Sequence, residues 1–264
     1  MPVFEFSKFC RIHYLDVNIT SPNPVLLLHG LGANSESWLF QIPVLQECGF
    51  RPITPDAPGF GQSTYSGGRA DIKNFTEPIA ALIDHLQLPS LDVVGISMGG
   101  TIALQLALDH TQYVSRLVLI NTFAHLNVIR ARSFPYYLLR FFLVHTLGLE
   151  RQAKTVAKHL FPFPDQELLR QGLTEQIRQS DPHAYRAAMR ALARFDVRDR
   201  LGEIHCPALV ITGRNDTTVP VEIQFQLASG IKDSRQILID KAGHAVTAET
   251  PDIFNQVLVE FLST

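Results

Sequence analysis

Three side chains in this sequence could together perform nucleophilic chemistry. A serine hydroxyl is a poor nucleophile until a neighbouring imidazole takes its proton. The imidazole in turn needs a carboxylate on its other nitrogen, to hold the correct tautomer and stabilise the cation that forms. Ser97 sits in Gly95-Ile96-Ser97-Met98-Gly99, the G-x-S-x-G pattern of a strained strand-to-helix turn. Asp216 closes Gly213-Arg214-Asn215-Asp216, and His244 follows Gly243. The chain order serine, aspartate, histidine is the one this pattern expects.

Competing residues can be weighed. Of 10 histidines, only His29 and His244 follow an apolar run with glycine beside them. His29 reads as a brace for its own loop, leaving His244 as the base. Asp240 lies too close in chain to His244 to reach it from a separate loop. The run ending at Ile120 exits into Asn121-Thr122 and offers no carboxylate. Asp216 is therefore the expected acid.

The elements that must position these groups follow from periodicity. Leu91–Val94 reads as a buried strand and Thr101–His110 as a helix, so Ser97 occupies the turn between them. Only hydrogen fits at positions 95 and 99 of so tight a turn. The N–H of Met98, at the helix start, then faces an oxyanion formed on a substrate. Val25–Leu28 is a continuous apolar run, as a doubly covered central strand reads. The loop His29-Gly30-Leu31-Gly32 follows it and offers the N–H of Leu31 as second oxyanion donor. A helix is expected from Ser37 to about Cys48, with Trp38 as a packing residue. Asp56–Ser63 forms a glycine-rich loop whose spacing matches neither the dinucleotide fingerprint nor the P-loop. Asp56 there reads as a loop-stabilising carboxylate. A helix over 71–86 follows, with Pro78 near its start, and Arg116–Ile120 is the next strand.

Strand and helix alternate up to this point, which implies an α/β domain with a mostly parallel sheet and helices on both faces. Then the pattern breaks. From 123 to 200 no strand is expected, and helices fit over 125–146, 150–160, 165–179 and 182–194. We read 123–200 as a helical cap inserted into a core made of 1–122 and 201–264. Its rings include Phe134, Tyr136, Tyr137, Phe141, Phe142, Phe161 and Phe163. Some must form the cap's own core and others must line a pocket above Ser97; Phe134, Tyr137, Phe141 and Phe161 are the pocket candidates. Strands resume at Ala208–Thr212 and Arg235–Ile239, helices at Val221–Leu227 and Glu249–Leu262.

Composition narrows the partners. The 264 residues carry 23 Lys plus Arg against 25 Asp plus Glu, so nothing favours nucleic acid. Cys10, Cys48 and Cys206 are odd in number and far apart, which suits reduced thiols rather than disulfides or a metal site. The N-terminus lacks a basic region leading into an apolar one. The greasiest stretch, Phe134–Leu149, is broken by Arg140 and His145 and falls short of the roughly 20 residues of a membrane span. A cytoplasmic protein without membrane insertion is expected. Oligomeric state is not legible.

Taken together, His29-Gly30, the Asp56–Ser63 loop, Gly95–Gly99, Gly213–Asp216 and Gly243-His244 resemble, in order, the α/β-hydrolase-fold proteins with an inserted helical cap. The resemblance implies a serine esterase or lactonase that needs no metal or organic cofactor. Its substrate would be a small or medium apolar ester or lactone. The stretch 181–204 is similar to 3-oxoadipate enol-lactonases. Serine at the elbow argues against the haloalkane dehalogenases and epoxide hydrolases, which carry aspartate there. Carbon–carbon bond hydrolases of the meta-cleavage type are also similar, but they place tryptophan after the catalytic histidine, where this chain has Ala245. A ligand receptor that kept the same fold is the alternative from a different class.

Overall fold

A computed structural model describes residues 2–65, 67–126 and 134–264. Among them eight strands form one sheet: β1 (Val3–Ser7), β2 (Cys10–Asp16), β3 (Pro24–Leu28), β4 (Arg51–Pro55), β5 (Leu91–Ile96), β6 (Val114–Ile120), β7 (Ala208–Gly213) and β8 (Ser234–Ile239). Their order is β1-β2-β4-β3-β5-β6-β7-β8. The β1–β2 and β2–β4 pairings are antiparallel, and all later ones are parallel. β5, which leads to Ser97, lies in the interior of the sheet between β3 and β6.

The continuous apolar strands bury both faces, as parallel strands must. Their side chains alternate between two cores. Leu26, Val93, Leu117 and Val210 pack with Ile79, Leu82 and Ile102 on one side. Val25, Val94, Val118 and Leu209 pack with Trp38, Phe254 and Leu258 on the other. The helices that cover the faces are α1 (Ile42–Glu47), α2 (Lys73–His85), α3 (Met98–Asp109), α8 (Val221–Gly230), the short α9 (Val246–Glu249) and α10 (Pro251–Leu262). Between β6 and β7 lie α4 (Phe134–Thr146), α5 (Gly148–Leu160), α6 (Glu167–Gln179) and α7 (Pro182–Arg194).

Several boundaries differ from the periodicity. The expected helix over 37–48 is two pieces, a 3₁₀ turn Ser35–Trp38 capped by Asn34 and then α1. Pro43 falls in the first turn of the second piece, where proline is tolerated and an interior position is not. Pro78 lies inside α2 rather than in its first turn. The closing helix starts at Pro251, and Glu249 ends α9 instead. In the segment from 123 to 200, residues 123–126 are not helical, and His125 makes an isolated bridge to Asp196. The helical expectation for 127–133 lies outside the described residues. α7 matches its expected span because Asp181 accepts from the N–H groups of His183 and Ala184 (2.7 and 2.9 Å) and Pro182 takes the first position.

The Asp56–Ser63 loop connects the sheet to these inserted helices. The Asp56 carboxylate is buried and accepts from Ser35 N at 2.7 Å and Gln62 N at 2.9 Å, with His13 Nδ1 at 3.0 Å. Gly59 accepts from Asp181 N at 2.8 Å, and a Cβ there would lie 2.1 Å from Ala184 Cβ. The glycine lets α7 approach the rim of the sheet.

Candidate active site

The turn after β5 carries the expected strain. Ser97 has φ 54° and ψ −112°, a conformation that costs a non-glycine residue on the order of 1–3 kcal/mol. The surroundings hold it there. Its N–H donates to Ile120 O at 2.9 Å, and its carbonyl accepts from Thr122 Oγ1 at 2.7 Å and Thr101 N at 3.1 Å. A Cβ at Gly95 would lie 2.3 Å from Gly99 O, and one at Gly99 would lie 2.0 Å from Leu28 O. Backbone meets backbone at both points, so no side chain can swing away.

Ser97, His244 and Asp216 come together. His244 Nε2 lies 3.0 Å from Ser97 Oγ, and its Nδ1 lies 2.8 Å from Asp216 Oδ2. A carboxylate only accepts, so Nδ1 carries the proton and the Nε2 lone pair faces the serine hydroxyl. Asp216 is buried and fully engaged: Oδ1 accepts from Thr218 N (2.8 Å) and Val219 N (2.9 Å), Oδ2 from Gln224 Nε2 (3.2 Å). Asp240 pairs with Arg214 at the surface and takes no part. His29 is a brace: Nδ1–H donates to Gly30 O at 2.8 Å, Nε2 accepts from Ala57 N at 2.9 Å, and burial holds its pKa down.

Three further side chains set this geometry. Asn121 has no counterpart to a carboxylate's role, yet it ties the acid loop to the histidine loop at the rim. Its Nδ2 donates to Gly243 O (2.9 Å) and His244 O (2.8 Å), and its Oδ1 accepts from Gly213 N at 2.8 Å. Glu249 accepts from Gly243 N (2.7 Å) and Ala245 N (2.9 Å), gripping the histidine loop from both sides; burial raises its pKa. Gln224 is itself oriented by Thr212 Oγ1, which donates to Gln224 Oε1 at 2.8 Å.

A cavity of about 480 Å³ opens over Ser97 and His244. Leu31 borders it; Met98 is buried at the first turn of α3. Among the described residues neither the Leu31 nor the Met98 N–H has an acceptor. Phe134, Tyr137, Phe141 and Phe161 all border the cavity, and so does Tyr136. Phe142 and Phe163 do not, and both are exposed. Trp38 packs in the core under β3 and also reaches the cavity wall. Tyr137 donates to Thr218 O and His159 Nε2 lies 3.2 Å from Thr217 Oγ1, so α4 and α5 both touch the loop that carries Asp216.

The sequence profile described as the alpha/beta hydrolase fold matches residues 23–251. The chain belongs to the α/β-hydrolase fold family. It is 32% identical over 251 residues to a putative carbamate hydrolase RutD of Agrobacterium fabrum, covering 90% of this chain and 92% of that one. It is 30% identical to 3-oxoadipate enol-lactonase 2 of Acinetobacter baylyi, covering 98% and 97%. Among solved structures it is similar to an esterase from Exiguobacterium antarcticum, with TM-score 0.89, 25% identity, and 97% and 96% coverage.

Among the described residues no group of three or more His, Cys, Asp or Glu side chains is placed to hold a metal, and no helix is long and apolar enough to cross a membrane. What the motifs left unread are the amide and carboxylate supports, Asn121, Gln224 and Glu249. Asn121 had one signal: it ends a central strand beside the elbow strand. Gln224 and Glu249 had none, since only the fold brings the one to the Asp216 carboxylate and the other to the backbone beside His244.

Proposed function

We propose that this α/β-hydrolase cleaves a carboxylic ester through an acyl-enzyme, with Ser97, His244 and Asp216 as its catalytic residues. The observation that carries the reading is the unbroken relay Asp216–His244–Ser97 at the floor of a largely apolar cavity. Ser97 Oγ attacks the ester carbonyl while its proton passes to His244 Nε2. Asp216, already holding Nδ1–H, stabilises the imidazolium. The N–H groups of Leu31 and Met98 receive the oxyanion, each contributing about 3 kcal/mol. The C–O bond breaks as His244 returns the proton to the departing alcohol. Water, deprotonated by the same imidazole, then attacks the acyl-enzyme, releases the acid and restores Ser97. One ester and one water yield one acid and one alcohol, so no redox partner or cofactor is needed.

The helices over 123–200 serve as a cap on the core formed by 1–122 and 201–264, and their rings select the acyl group. A lactone is the nearest variant substrate, favoured by similarity to the enol-lactonase. Ala245 after His244 weighs against carbon–carbon bond cleavage, and the complete relay weighs against a silent receptor. The three unpaired cysteines suit work in the cytoplasm. The test is turnover of a p-nitrophenyl ester series by the wild type and by Ser97→Ala. Burst release of nitrophenol and its loss in the variant support the reading. Equal turnover by the variant removes Ser97 from the mechanism.

A further inference from the structure

One buried charged group in the cavity wall has no counter-ion among the described residues. Arg140, on α4, borders the same cavity as Ser97 and His244 and is only 8% exposed. Its Nη2 donates to Tyr185 Oη at 3.1 Å. With the Gln152 amide turned so that its oxygen faces the guanidinium, Nε donates there at 3.1 Å. The Tyr136 ring lies against the guanidinium, 5.5 Å from centroid to Cζ. No carboxylate of the described residues pairs with it. The residues outside the description, Met1, Ser66 and 127–133, include no Asp or Glu.

Such an arrangement is costly. An arginine keeps its charge at every accessible pH, so burial cannot be relieved by losing a proton. Two neutral acceptors and a ring face offset only part of the lost hydration. An arginine kept under these terms in a ligand cavity is completed by an anion that arrives with the ligand. The planar fork matches a carboxylate, and Tyr185 and Gln152 hold the fork in place before the ligand enters. The neighbouring groups agree with this. The Tyr136 hydroxyl is buried beside the guanidinium and interacts with it, and its O–H has no acceptor, so it can donate to the same anion. His159, stacked on Tyr136 at 3.9 Å, has its pKa lowered by burial and by the Arg140 charge, and so adds no competing cation. Arg190 also borders the cavity, but it is exposed and already hydrated.

We infer that Arg140 is a specificity residue that binds a carboxylate of the substrate, so that the natural substrate is an ester or lactone carrying a second, free carboxylate on its acyl side. The inference rests on the proposed function and deepens it. The rest of the cavity wall is mostly apolar, so the acyl chain between the two ends lies against rings and leucines while its two polar ends meet Ser97 and Arg140.

The test is a matched pair of substrates. Methyl hemiesters of linear diacids from four to eight carbons are compared with the same esters whose free acid is replaced by a primary amide, which keeps shape and removes charge. The wild type is expected to favour the best hemiester over its amide by about 10- to 100-fold in kcat/KM, the usual reach of a charge-assisted hydrogen-bonded contact. Arg140→Met is expected to bring that ratio close to one, chiefly through KM, and Arg140→Lys to restore part of it. A wild-type ratio of one or less overturns the inference without any variant. So does a ratio that survives in Arg140→Met. If the wild type turns over no ester at all, the proposed function falls. Calorimetric binding of the free diacids against their diamides to the wild type then decides the role of Arg140 by itself: tighter binding of the diacid supports it, and equal binding overturns it.

Discussion

The rim of the sheet and the helical layer above it are built on opposite plans. At the rim, Asp216 has its acceptors engaged by Thr218, Val219, Gln224 and His244, and Asn121 and Glu249 tie down the histidine loop with four more bonds. The helical layer offers the cavity mostly apolar surface, rings such as Phe134 and Phe141 that remain partly exposed, and one buried cation without a counter-ion among the described residues. A proton moves between two atoms only when both are held within hydrogen-bond reach, so the rim must be over-determined. A cavity that admits and releases a ligand must leave some interactions unmade. Under the proposed mechanism, rate depends on the rim and selection on the layer.

That division can be broken in graded ways. The largest effect is expected from Ser97→Ala, which should cut ester turnover by about 10⁴-fold or more while the thermal midpoint, read by calorimetry, stays within a few degrees. Gly99→Ala should come next, on stability: its Cβ would meet backbone at 2.0 Å, and we expect a loss of about 3 kcal/mol or more in denaturant titrations, or no soluble protein. Asn121→Ala should lower kcat by about 10- to 100-fold and stability by about 2 kcal/mol, since three backbone groups lose their partner. A variant that lowered KM selectivity and left kcat untouched would put Asn121 on the wrong side of the comparison.

Smaller effects belong to the layer and to pH. Phe141→Ala, at a ring 48% exposed, should shift acyl-chain preference by about tenfold in KM across a nitrophenyl ester series, with stability changed by less than about 1 kcal/mol. A change in kcat instead would mean that the layer shapes the chemistry. The pH effect is the least. His29 is buried neutral with a lowered pKa, so the unfolded chain binds the proton first. Stability is then highest above about pH 6.5 and is lost as pH falls from there towards the folded-state pKa. Thermal melts at pH 7.5 and 5.5 should show this drop, and His29→Gln should start lower but fall less between the two.

The residues of the relay were readable because each chemistry-bearing side chain sits beside a glycine that its turn demands. Gly95 and Gly99 flank the serine, Gly213 opens the acid loop and Gly243 precedes the histidine. The central strands were readable because both faces are buried and the apolar run is continuous. The helix ends were less so: 37–48 split between Trp38 and Ile42, with Pro43 in the first turn of the second piece, and the last helix began at Pro251, where proline chemistry overrode the periodicity. Of the rings between β6 and β7, the four named as pocket candidates, Phe134, Tyr137, Phe141 and Phe161, all border the cavity, and so does Tyr136, which was not among them. Phe141 borders the cavity and Phe142 does not, though they are neighbours in the chain.

By itself the sequence determined the order of strands and helices, the α/β class, the insertion after β6 and the three side chains able to share a proton. Those are local matters of periodicity, turn chemistry and residue type. Tertiary structure decided that Ser97 Oγ and His244 Nε2, 147 positions apart, stand 3.0 Å from each other, that Asn121 ties the acid loop to the histidine loop, and that Arg140 is buried in a cavity wall with no carboxylate of the described residues beside it. A charge is interrupted hydrophobicity when read along the chain. Whether it is solvated, paired or waiting for a ligand depends on which surfaces close around it.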